Sequence, residues 1–222
     1  MQPHQCEFAE FLVSSQVLRL GQFRLKSGRL SPYFLNFGQV RSGASLTRLG
    51  GFFARHLAGL DFDLLFGPAY KGIPLAVATC QALWSQQGRD LPYCSLRKEA
   101  KGHGEEGRVL GQPPGDRDRI VVVDDVMTTG LTKRQALDEL RQLAPTSRVV
   151  AVVVGVDRQE READGRPAAA AFTEDTGVPL LALLTVRQLF DHLLDRPVGG
   201  QVAVDGALYA RLLDYLAEVG AP

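Results

Sequence analysis

The chain has 222 residues, 45% of them hydrophobic and 23% charged, ordinary proportions for one well-buried globular domain. Twenty-five basic residues balance twenty-five acidic ones, so no overall field favours nucleic acid or an anionic membrane, and neither is expected as a partner. The longest apolar runs, such as Val149 to Val156, fall far short of a membrane span, and the N-terminus lacks a basic-then-apolar leader.

Taken in chain order, Phe8, Phe11, Leu12, Val17 and Leu18 predict an N-terminal helix with one apolar face. Gln22 to Lys26 and Tyr33 to Phe37 predict a hairpin joined through Ser27-Gly28-Arg29. Leu46, Leu49, Phe52, Phe53 and Leu57 recur at helical spacing. Asp63 to Phe66 reads as a strand, Gly67-Pro68-Ala69 as a turn, Ile73 to Trp84 as a helix and Tyr93 to Leu96 as another short strand. A strand over 120–125 leads into a helix with Leu131, Leu137 and Leu140 as apolar positions. Strands at Val149 to Val156 and Leu180 to Leu183 follow, with 158–167 a polar stretch open to helix or loop. Helices over Val186 to Leu194 and Ala207 to Leu216 complete the pattern.

This alternation predicts an α/β fold, a mainly parallel central sheet flanked by helices. Ligands bind such sheets outside the carboxyl ends of the strands. Tyr70-Lys71, Arg97-Lys98, Asp124-Asp125 and Asp157-Arg158 each follow a predicted strand, so all four should meet at one rim. Cys6, Cys80 and Cys94 show no metal spacing or redox pair and are expected to be reduced, packing thiols in a cytoplasmic protein. His4, His56 and His192 carry no partner signature, and Trp84 is expected on a packing face.

The chemistry concentrates in Ile120-Val121-Val122-Val123-Asp124-Asp125-Val126-Met127-Thr128-Thr129-Gly130. A β-branched strand ends in two carboxylates, and Thr128, Thr129 and Gly130 then open a helix. Free amides at such a junction make an anion cradle, and the hydroxyls add donors. The carboxylates would repel a bare phosphate, whereas a ligand carrying both phosphate and ribose suits the combination. Rival motifs fail. No Gly-Lys-Ser/Thr ending supports a Walker loop, and Gly102-His103-Gly104-Glu105-Glu106-Gly107 neither follows a strand nor opens a helix. His103 and Glu105 lack the Pro-Cys-x-x-Cys partner of a zinc deaminase.

The 120–130 segment resembles the phosphoribosyl pyrophosphate (PRPP) motif of the type I phosphoribosyltransferases. Three further segments narrow the resemblance to the orotate phosphoribosyltransferases: Leu25-Lys26-Ser27-Gly28-Arg29 with Ser31-Pro32-Tyr33-Phe34, then Phe66 to Leu75, then Arg97 to Glu105. The resemblance implies a type I phosphoribosyltransferase fold in a single domain over 1–222, with a small N-terminal hood over roughly 1–40. It implies that Lys26, Tyr70, Lys71, Arg97, Lys98, Lys101 and His103 bind PRPP. The same holds for Asp124, Asp125, Val126, Met127, Thr128, Thr129, Gly130, Leu131 and Thr132. Phe34, Leu35, Thr128 and Arg158 would hold orotate, with Leu35 standing where the family often has a second aromatic. Lys26, Lys101, His103, Asp124 and Asp125 would act in catalysis.

The glycines around Lys101 and His103, with no apolar periodicity, predict a mobile cationic loop that closes over the leaving group. Mg²⁺ is the implied cofactor, held mainly by PRPP and water, with Asp124 or Asp125 as candidate protein ligands. The implied assembly is a homodimer whose active sites are shared between subunits. Transfer to another base, or a regulator that retains the fold to bind nucleic acid or protein, are the competing readings. Lys26, Phe34 and Arg158 speak against a purine, and the neutral charge with a complete basic loop speaks against a regulator.

Overall fold

The computed structural model describes residues 1–24, 28, 30–97 and 108–220. Six strands form the central sheet in the order β5 (Val109–Gly111), β4 (Tyr93–Leu96), β3 (Leu64–Phe66), β6 (Arg119–Met127), β7 (Arg148–Asp157) and β8 (Leu180–Thr185). All neighbouring pairs are parallel except β4–β5, in which Cys94 opposes Gly111 and Leu96 opposes Val109. The mainly parallel sheet flanked by helices is therefore present as expected, with an antiparallel edge strand, β5, that the sequence reading did not include.

Because successive side chains on a strand point to opposite faces, β6 feeds two separate cores. Val121 and Val123 join one apolar cluster, and Ile120 and Val122 join the other. The first cluster takes in α1 (Pro3–Ser14), α2 (Gly43–Leu57), α3 (Gly72–Gln87), α6 (Val186–Leu193) and α7 (Gly206–Val219). It also holds Leu18, Tyr33 and Leu35 of the hairpin formed by β1 (Leu18–Arg24) and β2 (Leu30–Leu35). The second cluster lies under α4 (Leu131–Leu143) and α5 (Ala168–Thr176). Fully buried Phe8, Phe11, Phe52 and Phe53 anchor the first, and truncating one such ring typically costs about 3–5 kcal/mol.

Several elements differ from the periodicity. Helix α1 stops at Ser14, so Val17 is buried in the connection that follows and Leu18 at the start of β1. The hairpin starts earlier than predicted, at Leu18, and a bulge at Gly21 (φ 145°) shifts its register between Leu20 and Phe23. At its far end Asn36 accepts from the Gly38 amide and starts a 3₁₀ turn at Phe37, which ends β2. Residues 158–167 form turns with isolated bridges, including Glu160 to Gly220. Helix α5 was not anticipated: it packs Ala168, Ala171 and Phe172 inward and stops at Gly177 in the left-handed region. A two-strand ribbon, β9 (Pro197–Val198) and β10 (Gln201–Val202), was likewise unforeseen. Trp84 is 60% exposed rather than packed. Among the described residues no helix is long and apolar enough to cross a membrane.

At the rim opposite the predicted site, Asp63 locks β3 to β6. Its carboxylate accepts from the Arg119 amide at 2.9 Å and from Arg119 Nε and Nη2 at 2.9 and 2.8 Å, while its own amide donates to Arg119 O at 2.8 Å. Arg119 also pairs with Asp61. Hydrogen bonds from the Arg119 side chain and amide hold the Asp63 carboxyl at about 2. A depressed carboxyl pKa adds stability above its unfolded value, and that stability is lost as pH falls through the folded one. Asp63→Asn should therefore lower the melting temperature slightly at neutral pH, the clamp being solvent-exposed. The deficit should shrink as pH drops from about 4 toward about 2. A deficit that stays constant across that window in calorimetric melts would contradict the assignment.

Candidate active site

Asp124 and Asp125 lie inside β6, which continues to Met127 rather than ending at the pair. Each is 7% exposed. The pleat sends them apart: Asp124 follows Ile120 and Val122 toward α4, and Asp125 follows Val121 and Val123 toward α3. Each therefore meets a lysine from a different layer. Lys71, at the start of α3, places Nζ 2.8 Å from Asp125 Oδ2. Lys133, in the first turn of α4, places Nζ 2.6 Å from Asp124 Oδ2. The remaining two oxygens accept backbone amides, Asp124 Oδ1 from Asp125 at 2.9 Å and Asp125 Oδ1 from Val126 at 2.8 Å. Each of the four carboxylate oxygens thus has a partner, three through hydrogen bonds and Asp124 Oδ2 through its ion pair with Lys133.

Burial pushes the Asp124 carboxyl above the ordinary carboxylate range; Lys133 opposes that effect and neighbouring Asp125 adds to it. The two lysines differ in freedom. The Lys71 side chain is 53% exposed and that of Lys133 only 5%.

Beyond β6 the chain turns through Thr128 and Thr129 into Gly130, the N-cap of α4, at φ 72°. A Cβ there would also meet Met127 Cε at 2.8 Å and a Phe172 ring carbon at 3.3 Å, so only glycine fits both the dihedral and the space. The amides of Lys133 and Arg134 return to Gly130 O at 3.0 and 2.9 Å. Those just before them are the orphan donors that a helix start presents to an anion. Thr129, Leu131 and Thr132 are exposed at this mouth. Contrary to the sequence expectation, Leu131 does not join the apolar face of α4; it lies six residues from Leu137, well round the helix. The stripe is Lys133, Ala136, Leu137 and Leu140.

Lys133 is the site residue that sequence reasoning missed. Its signal was present: a lysine in the leading position of an i, i+3, i+4, i+7 apolar pattern, one strand-to-helix turn beyond two carboxylates.

Lys71 reaches Asp125 because Gly67 and Gly72 allow a tight approach. A Cβ on Gly67 would lie 2.1 Å from Gly72 O. The Ala69–Tyr70 peptide is cis, and Tyr70 is 67% exposed. A small cavity of about 100 Å³ lies here, lined by Lys71, Asp125, Phe37, Pro74 and Leu75 among others. A larger one of about 670 Å³, between the hairpin and α7, carries neither carboxylate nor either lysine.

Arg158 follows β7 next to this rim, its amide donating to Met127 O at 3.1 Å. It is 5% exposed. Its guanidinium carbon sits 4.9 Å from the Tyr33 ring centre, and Nε approaches Glu160 Oε1 at 2.8 Å without hydrogen-bond alignment. Arg158 Nη2 and the Tyr33 hydroxyl, both buried, have no acceptor or donor among the described residues. Burial also raises the Tyr33 phenol well above its ordinary range. Phe34, on the opposite side of β2, is half-buried against Phe23 at 5.8 Å, and the Leu35 side chain belongs to the core. Arg97 donates its amide to Arg108 O at 2.8 Å, closing the base of the β4–β5 connection. Lys26, Lys98, Lys101 and His103, with the cationic loop expected to be mobile, lie outside the described residues.

The structure thus brings Lys71, Asp124, Asp125 and the Thr128–Thr132 helix start to one rim, with Arg158 beside it. A family model for the phosphoribosyl transferase domain matches residues 43–174. The chain is 40% identical to an orotate phosphoribosyltransferase of Lachnoclostridium phytofermentans, over 99% of each protein, and 45% identical to one of Klebsiella pneumoniae, over 89% of this chain and 92% of the other. The crystal structure of orotate phosphoribosyltransferase from Francisella tularensis superposes with a TM-score of 0.79 at 32% identity, covering 97% of this chain and all of that one. With likeness of sequence and fold over nearly its whole length, the chain belongs to the orotate phosphoribosyltransferase family.

Proposed function

We propose that this protein transfers the 5-phosphoribosyl group of PRPP to orotate, giving orotidine 5′-monophosphate and pyrophosphate in pyrimidine biosynthesis. The observation that carries the reading is the buried, lysine-matched Asp124–Asp125 pair leading into a glycine-capped helix start. A pair of acceptors suits ribose hydroxyls, and the helix start suits the 5′-phosphate.

In this reading orotate N1 forms a bond to the anomeric carbon as the bond to the pyrophosphate oxygen breaks, with inversion. The reacting carbon passes through an oxocarbenium-like state, so the protein contributes orientation and charge rather than a nucleophile. Lys71 is well placed to exchange Asp125 for a pyrophosphate oxygen, being half exposed. Arg97, Lys98, Lys101 and His103 would supply further positive charge, and Lys26 would stand near the reaction centre. Phe34 and the backbone at Leu35 and Thr128 would hold the ring, while the unsatisfied Arg158 Nη2 offers a donor to the orotate carboxylate.

The hard carboxylate oxygens of Asp124 and Asp125 are of the kind Mg²⁺ takes, and either would be the protein ligand of an ion held mainly by PRPP and water. Bound there, the ion supplies charge neutralisation for pyrophosphate. The same reading takes the protein as a single cytoplasmic domain in which α1 and the β1–β2 hairpin act as a hood. It forms a homodimer whose basic loop serves the neighbouring site, and an exposed Trp84 on α3 is the kind of surface a second subunit covers.

PRPP-dependent loss of orotate, with uracil and hypoxanthine as controls, tests the assignment; consumption of a control base in preference to orotate would overturn it. Arg158→Ala should raise the Michaelis constant for orotate at least about tenfold, as loss of one charged hydrogen bond does. PRPP binding by calorimetry should barely change. Lost PRPP affinity with normal orotate handling would place Arg158 elsewhere.

The shared site is tested by mixing inactive Lys101→Ala and Asp125→Ala proteins under conditions of subunit exchange. A two-fold hybrid then holds one intact site, so roughly a quarter of all sites recover in an equal mixture. No recovery, once mass spectrometry confirms hybrids, would show that each loop serves its own subunit.

A further inference from the structure

The reading above gives Lys133 no duty beyond matching the charge of Asp124, yet it is the more deeply buried of the two described lysines at the carboxylate pair. It is 4% exposed, and it occupies an apolar stripe position of α4 beside Ala136, Leu137 and Leu140. A lysine is retained in such a place only with a matched partner, because stripping its water is costly. The partner is Asp124 Oδ2 at 2.6 Å, and Thr132 Oγ1 lies 3.2 Å from the same ammonium. Thr132 belongs to the helix start that reads as the phosphate cradle, so one buried cation touches both halves of the proposed ligand seat. Lys71 makes the corresponding contact to Asp125 from a half-exposed position.

The asymmetry is physical. A ligand phosphate can draw half-exposed Lys71 away through solvent, whereas the Lys133 side chain, 5% exposed, is packed in the inward stripe of α4. We propose that Lys133 is a positioning residue: a fixed brace that holds the Asp124 carboxylate and the Thr132 end of the cradle in register, so that ribose hydroxyls meet an already oriented acceptor. Lys71 is the exchangeable counterpart. The inference rests on the functional reading above and deepens it by assigning unlike duties to the two lysines.

Lys133→Met keeps the length and apolar stem of the side chain and removes the ammonium. It should lower kcat/KM for PRPP about 10- to 100-fold, by analogy with the loss when a group that orients a metal-binding side chain is removed. The Michaelis constant for orotate should stay within about threefold, since Lys133 lies on the α4 side and Arg158 on the other. In an Asp124→Asn background the same change should cost less than about threefold further, because the brace then has no charge to hold. Lys133→Arg, which restores a cation, should recover part of the loss.

If Lys133→Met does not fold, as judged by circular dichroism, Lys133→Gln retains a donor of lesser reach and is carried through the same cycle. Equal PRPP kinetics in wild type and either folded variant would overturn the brace, as would fully additive losses with Asp124→Asn. An unmutated protein that fails to consume orotate with PRPP would instead overturn the functional reading itself.

Discussion

Two adjacent carboxylates on one interior strand are the constraint around which this molecule is arranged. Ionised and unpaired in a dry sheet, they would be severely destabilising, and neutral they would be of little use to a sugar. The pleat of β6 resolves the problem by separating them. Asp124 faces α4 and finds Lys133; Asp125 faces α3 and finds Lys71. Each layer of the sandwich thus contributes one counter-charge. The parallel order β4-β3-β6-β7 brings the residues that follow β3 and β7 to the same rim. The fold and the site answer the same electrostatic demand.

The hood joins this arrangement through a second buried group. Tyr33 on β2 packs edge-on against Phe190 at 5.1 Å and Tyr215 at 5.9 Å and lies against the Arg158 guanidinium. One ring therefore ties the hairpin, α6 and α7 to the residue that follows β7. Its hydroxyl and Arg158 Nη2 both lack a hydrogen-bond partner among the described residues, and unsatisfied buried donors of this kind cost about 1–3 kcal/mol each. A planar anion that reaches Arg158 would relieve part of that cost.

Much of this was legible in the sequence because it depends on local pattern. The β-branched run Ile120 to Val123, the two aspartates and the Thr-Thr-Gly helix entry specify strand, charge and cradle with no long-range information. What was not legible depends on which face a side chain takes. That Asp124 and Asp125 diverge, and that Lys133 rather than Leu131 points inward, follow from helix phase and strand pleat together. Arg158 is placed at the rim by its position after a strand, but the contact that buries it is not local: it comes from Tyr33, more than a hundred residues earlier. Helix α5 has no clear sequence signal because its four leading alanines give weak periodicity.

The central claim is that the end of β6 and the start of α4 form the PRPP seat. A crystal structure of the protein with PRPP tests it most directly. The account predicts the ribose against the Asp124–Asp125 pair and the 5′-phosphate on the Thr128–Thr132 turn, with Lys71 drawn from Asp125 toward pyrophosphate and Lys133 still on Asp124. PRPP bound in the cavity between the hairpin and α7, or a ribose making no contact with either aspartate, would contradict it.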